Sequence, residues 1–191
     1  MHNIPWMAFN IALALIPVIL GLLMFYIKWK PLRLLISIIW LLFLPNTVYL
    51  LTDLMHISKD WEKVGYIGKI VLFLQYGLLG IIGIITFTLA LYAFDQISMQ
   101  SQKFSKIKYN YAILILLCLL VGFGIVLGRV ERVHSWYVFT DLHRVIAASS
   151  HIIQTPELTL LATIWGICGF CLYRVWKNVV VAFFRLTNTG S

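Results

Sequence analysis

The sequence predicts an all-α polytopic membrane protein of five transmembrane helices, the second kinked at Pro45, with one further amphipathic helix lying in the interface. Three observations carry this. Of 191 residues, 61% are hydrophobic and only 12% charged, and the mean hydropathy is +0.92, a balance outside the range of soluble domains. Five segments reach the roughly 20 apolar residues that a helix needs to cross a bilayer core of about 30 Å. Basic residues flank the apolar runs rather than forming a patch with exposed aromatics, so the net charge of +8 reads as membrane topology and no nucleic-acid partner is expected.

The first segment, Ile4 to Ile27, lacks a basic flank at its start and is too long for a cleaved signal peptide, so it is read as a membrane helix. The second runs from Leu32 to Met55. Its first part, Leu32 to Leu44, spans only about 20 Å at 1.5 Å per residue, so the helix must continue past Pro45. Proline removes a backbone hydrogen bond and clashes with the carbonyl of Leu41, which predicts a kink between Leu41 and Asn46. The third and fourth segments are Ile70 to Phe94 and Tyr109 to Gly128. The fifth, Thr155 to Trp176, opens with Thr155 as N-cap, Pro156 at the first position and Glu157 in the first turn, where the helix dipole favours an acid. Before it, Val138 to Ile153 is too polar to span, yet Val138, Leu142, Val145 and Ile152 recur at helical spacing, as an interfacial helix requires. Glycines at 77, 80, 83, 124 and 128 suit close helix contact. Cys118, Cys168 and Cys171 all fall in membrane helices, where Cys168-x-x-Cys171 reads as packing rather than redox chemistry. No repeat or linker divides residues 1–191, which are read as one domain.

Orientation follows from the basic residues. Lys28, Lys30, Arg33, Lys103, Lys106, Lys108, Arg174, Lys177 and Arg185 fall on one side, with Asp95 the sole acid. Lys59, Lys63, Lys69, Arg129, Arg132 and Arg144 fall on the other, matched by six acids. Nine against six places the N-terminus outside and the C-terminus in the cytoplasm. All five histidines, His2, His56, His134, His143 and His151, then fall on the extracytoplasmic side.

Two stretches carry candidate chemistry. After Pro45 come Asn46, Tyr49, Asp53 and His56, which fall within about 80° of one another on a helix, a polar stripe that should not face lipid. The fourth segment ends Gly128-Arg129-Val130-Glu131-Arg132-Val133-His134-Ser135-Trp136, with Arg129 and Arg132 on one face if the helix continues. Two guanidiniums opposite a carboxylate and an imidazole make a pocket of Asn46, Tyr49, Asp53, His56, Arg129, Arg132, Ser135 and Trp136.

Together the two stretches resemble those of an uncharacterised bacterial membrane family, domain of unknown function 1361. Its Pro-Asn-x-x-Tyr-x-x-x-Asp-Leu-x-His pattern is matched by Pro45, Asn46, Tyr49, Asp53, Leu54 and His56. Its second pattern, Gly-Arg-x-x-Arg-x-Asn-Ser-Trp-Asp, is matched by Gly128, Arg129, Arg132, Ser135 and Trp136. The chain departs from it with His134 for Asn and Tyr137 for Asp, so a role for that second carboxylate would pass to Asp141. The resemblance implies a bacterial cytoplasmic membrane protein and a pairing of the two motifs, with no activity attached.

Several readings of the pocket stay open. The simplest is a buried ion pair of Asp53 with Arg129 or Arg132, locking two helices of a non-enzymatic envelope scaffold or accessory subunit. Alternatively the arginines bind the head group of an anionic or phosphate-bearing lipid, with Asn46, Tyr49, Ser135 and Trp136 as further contacts and Asp53 or His56 as general base. A metal-dependent hydrolase would draw on Asp53, His56 and one of His134, His143 or His151, though no histidine pair has helical ligand spacing and no metal ligand is assigned. No nucleotide motif or phosphate-cradling glycine loop identifies a cofactor. Asn46 suits the backbone freed by Pro45, and Tyr49 and Trp136 suit anchors at the membrane interface.

Overall fold

The computed structural model describes residues 4–101 and 107–188, which are helical apart from short connections. The helices are α1 (Ile4–Tyr26), α2 (Lys30–Phe43), α3 (Pro45–Thr52), a 3-10 turn (Asp53–His56), α4 (Ile57–Trp61), α5 (Tyr66–Ser101), α6 (Ile107–Arg129), α7 (Tyr137–Thr140), α8 (Leu142–Gln154) and α9 (Pro156–Asn188). Five stretches are long and apolar enough to cross a membrane: Pro5–Tyr26, Lys30–His56, Tyr66–Ile97, Tyr111–Arg129 and Pro156–Ala182. His2, Lys103 and Lys106 lie outside the described residues.

The second span is built as the proline dictates. Leu44 stays near helical geometry and its N–H still reaches the Trp40 carbonyl, but Pro45 has no N–H to give to Leu41, and the helix restarts as α3. Side chains serve carbonyls around the break: Thr47 Oγ1 donates to Leu44 at 2.7 Å and Asn46 Nδ2 to Phe43 at 3.0 Å. An interrupted helix survives in lipid only where protein surrounds it. Six of the eight α3 residues are buried, and α3 packs against α1, α5 and α6 at once. The kinked half of the second span is the hub of the bundle.

Glycines allow that central position. A Cβ on Gly83 of α5 would come within 3.1 Å of the Thr47 carbonyl oxygen. On α6, a Cβ at Gly124 would lie 2.5 Å from Pro45 Cγ, and one at Gly128 only 1.8 Å from the Tyr49 hydroxyl. The Gly124-x-x-x-Gly128 pair is thus the groove into which α3 fits. Gly77 differs from this expectation: nothing lies within 4 Å of its would-be Cβ, and it faces outward. The α6–α9 seam is as tight, since a Cβ on Gly122 would overlap the Ala162 carbonyl. Around these contacts Trp40, Leu44, Val48, Phe87, Leu91, Val121, Ile125 and Tyr173 form the main core.

The amphipathic segment corrects the sequence reading in one respect. It is two helices rather than one, because Asp141 leaves helical geometry and its carboxylate accepts the Arg144 N–H at 3.2 Å, capping α8. On α8, Ala148 and Ile152 are buried, Ile152 against Val126 and Ala162. Leu142, Ile146 and Ile153 form an adjoining exposed apolar strip, while His143, Arg144 and His151 lie on the remaining face. Such a division of faces fits a helix seated where lipid meets water.

The packing predicts opposite outcomes for two glycines. Gly128→Ala should lower unfolding stability by about 1–3 kcal/mol through overpacking against Tyr49. Gly77→Ala should be neutral or stabilising by up to about 1 kcal/mol through helix propensity. Thermal unfolding of both variants in detergent checks the pair.

Candidate functional site

The site forms where α3 and its 3-10 extension meet the C-terminal end of α6. Asp53 is fully buried, and a carboxylate at that depth needs a partner. It has two. Arg129 Nη2 forms an ion pair with Asp53 Oδ1, and Asn10 Nδ2, from α1, donates to Asp53 Oδ2 at 2.8 Å. Arg129 Nη2 also donates to the Tyr49 carbonyl at 2.8 Å, and its guanidinium carbon lies 4.9 Å from the centre of the Tyr49 ring. The Tyr49 hydroxyl donates in turn to the Gly124 carbonyl at 2.9 Å. Three helices are therefore joined through one carboxylate and one guanidinium.

A second junction holds the loop after α6. Ser135 Oγ donates to the Leu42 carbonyl at 2.9 Å and accepts from Asn46 Nδ2 at 3.3 Å. The helix break at Pro45 and the Ser135 turn thus support each other, which explains why polar residues of the two motifs are spaced as they are.

The loop also corrects an expectation. Arg129 and Arg132 would share a face only on a continuing helix, and α6 ends at Arg129. The chain then turns back, with the Glu131 N–H 3.4 Å from the Val126 carbonyl and the Val133 N–H 3.1 Å from that of Leu127. Arg132 takes the left-handed conformation, φ 54°, which an L residue adopts only at a cost, and it is exposed. The ion pair with Asp53 belongs to Arg129. Trp136 stacks on His134 at 4.5 Å between ring centres, and Tyr137 meets both edge-on.

His56 stands apart from these networks. It packs 5.8 Å from the ring of Trp6, and its Nδ1, like Arg129 Nε, is buried with no hydrogen-bond partner among the described residues. Both residues border a half-open cavity of about 400 Å3, lined also by Thr52, Met55, Ile125, Val126, Val130, Leu161 and Trp165. The 3-10 turn makes one wall, α6 the floor and α9 the other wall. Leu161 and Trp165 were absent from the expected pocket because they carry no polar signal and sit on the last helix.

The histidines do not converge. His151 Nδ1 lies 2.8 Å from Glu131 Oε1, His134 is held on Trp136, and His143 is exposed. Among the described residues no three His, Cys, Asp or Glu side chains are placed to share a metal ion, so the hydrolase reading has no ligand shell there.

The sequence also matches the family described as protein of unknown function (DUF1361) over residues 9–171. The chain belongs to this family. No curated protein and no solved structure matches it. The family match encloses both motifs and Asn10, so the two described partners of Asp53, Arg129 and Asn10, lie within the shared region. It stops short of Tyr173 and Lys177, which bind a second buried carboxylate. Asp95, fully buried near the C-terminal end of α5, accepts from the Tyr173 hydroxyl at 2.8 Å and pairs with Lys177 of α9.

Asn10 was not singled out by the sequence, and its contribution is measurable. Asn10→Leu leaves one oxygen of a buried carboxylate short of a donor and should lower unfolding stability by about 1–3 kcal/mol. Asn10→Asp should be worse, since it sets a second acid against Asp53. Urea or thermal unfolding in detergent distinguishes the two.

Proposed function

We propose that this protein binds the phosphate-bearing head group of a membrane lipid at the end of α6, with Arg129 and His56 as the recognising groups. The observation that carries the proposal is the cavity beside Arg129 and His56. Its lining is apolar except at the end where these two side chains stand, with Thr52 on the wall. Arg129 Nε and His56 Nδ1 are both buried with no partner among the described residues, and an unmet polar group in such a place is unfavourable by about 1–3 kcal/mol. A ligand oxygen reached by a small side-chain adjustment would supply the missing partner. Arginine suits a phosphate because its planar fork presents several donors to one anion.

In this reading Asp53 is a positioning residue. Both of its oxygens are engaged, by Arg129 and Asn10, so it aims the guanidinium rather than taking a proton. Among the described residues of the cavity wall, His56 and Arg129 are the titratable side chains, and His56 is the one suited to general-base chemistry on a bound head group. The basic-residue asymmetry supports placing this end of the bundle on the extracytoplasmic side of a bacterial cytoplasmic membrane.

A structural reading has its own support. The complete engagement of Asp53 is what a helix clamp requires, and a scaffold or accessory subunit would need nothing more. Binding separates the two. Purified protein in non-ionic detergent should show saturable tryptophan fluorescence changes with short-chain phosphatidic acid. His56→Gln should weaken this by about 10-fold or more, the scale of one charge-assisted hydrogen bond, with unchanged melting temperature, whereas Arg132→Gln, off the cavity wall, should leave it unchanged. Equal response to a neutral glycolipid detergent, or no loss in His56→Gln, would leave the clamp as the explanation.

A further inference from the structure

We infer that the cavity is the chain slot of a lipid-borne amphiphile, entered sideways from the bilayer between the 3-10 turn and α9. The inference rests on the head-group reading above and adds where the rest of that lipid goes, its chain lying in the apolar part of the cavity and entering from the bilayer.

The direction of the cavity supplies the argument. α6 ends at Arg129, whereas α9 starts at Pro156 near the same end and runs the opposite way. Along α6 the lining passes from Arg129 and Val130 at the helix end to Ile125, about 6 Å deeper at 1.5 Å per residue. Along α9 it passes from Leu161 to Trp165 in the same inward direction. His56 and Arg129 stand together at the end nearer the helix termini, and Ile125 and Trp165 close the deeper end. Polarity therefore changes along the helix axes as it does along a lipid, head towards the surface and chain towards the bilayer centre.

The rim points the same way. Met55 is 73% exposed, Val130 46% and Leu161 36%, and Leu160 and Ile164 next to the mouth are exposed as well. Met55, Leu160, Leu161 and Ile164 belong to stretches long and apolar enough to cross a membrane, and Val130 follows the end of another, so in a bilayer the mouth would face acyl chains rather than water. A dissolved anion approaching from that side would have to cross hydrocarbon. An amphiphile would slide in with its chain in apolar surroundings throughout, and its phosphate would arrive beside Arg129, the one arginine or lysine among the described residues of the wall. Charge complementarity at one end and apolar continuity at the other select the same occupant.

The test is photo-labelling in detergent with a phosphatidic acid carrying a diazirine near the end of one chain. The expected labels are on Ile125 and Trp165, displaced by unlabelled phosphatidic acid and left in place by glycerol phosphate. Leu161→Trp, which fills the slot from its exposed side, should lower labelling about tenfold, the equivalent of roughly two buried methylenes. Leu160→Trp, next door but outside the lining, should not. Absence of label at both residues, or equal labelling of Leu161→Trp, would overturn the chain slot. Displacement by glycerol phosphate without chain labels would overturn it too, while leaving head-group binding standing. Equal labelling by a diazirine diacylglycerol, which has no phosphate, would uphold the slot and overturn the head-group reading.

Discussion

A carboxylate buried among membrane helices is the constraint on which this architecture depends. Asp53 cannot be left alone in an apolar bundle, because an unpaired charge there is far more unfavourable than any local packing gain. Arg129 meets it from α6 and Asn10 from α1, so α3 must sit where both can reach. The rest follows from that demand. Gly124 and Gly128 allow α3 to approach α6 closely, and Pro45 frees backbone groups that Asn46, Thr47 and Ser135 then engage. Contacts that look separate along the chain are consequences of placing one charge.

The bundle is pinned again near its other end. Asp95 on α5 is matched by Tyr173 and Lys177 on α9, so α9 is fixed to α5 there while its first turns border the cavity. Between the two charged junctions the interior is apolar, filled by Phe87, Leu91, Val121 and Ile125. Buried ion pairs of this kind add little net stability compared with apolar packing, yet they penalise any arrangement that separates the partners. They specify which helices meet, at what height. In a bundle held together by nearly interchangeable aliphatic contacts, that is what fixes the geometry of the cavity.

Much of this was legible in the sequence, for definite reasons. The bilayer imposes a length on every span, so the five helices could be counted from apolar runs alone, and Pro45 announced its own break. The pairing of Asp53 with an arginine of the fourth span followed from charge and height. What escaped was set by backbone detail or by isolated residues. Arg132 leaves the expected face because α6 stops at Arg129 and the chain turns back through a left-handed residue, which spacing cannot reveal. Asn10 is one polar residue in a long apolar run and makes no pattern, although its position inside a span was itself a signal. Asp95 reads as a loop charge because the apolar run ends at Phe94, but α5 continues to Ser101 and buries it. Leu161 and Trp165 could be assigned to a cavity only once α9 was seen beside the 3-10 turn.

The central claim is that Asp53 and Arg129 act as one unit, and a double-mutant cycle measures this directly. Unfolding of Asp53→Asn, Arg129→Gln and the double variant would be followed in the same detergent. Each single change strands a partner and should be unfavourable by about 3–5 kcal/mol, while the double variant should fall well short of their sum, with a coupling of about 2–3 kcal/mol. Strictly additive losses would show that the two charges contribute independently and would contradict the account.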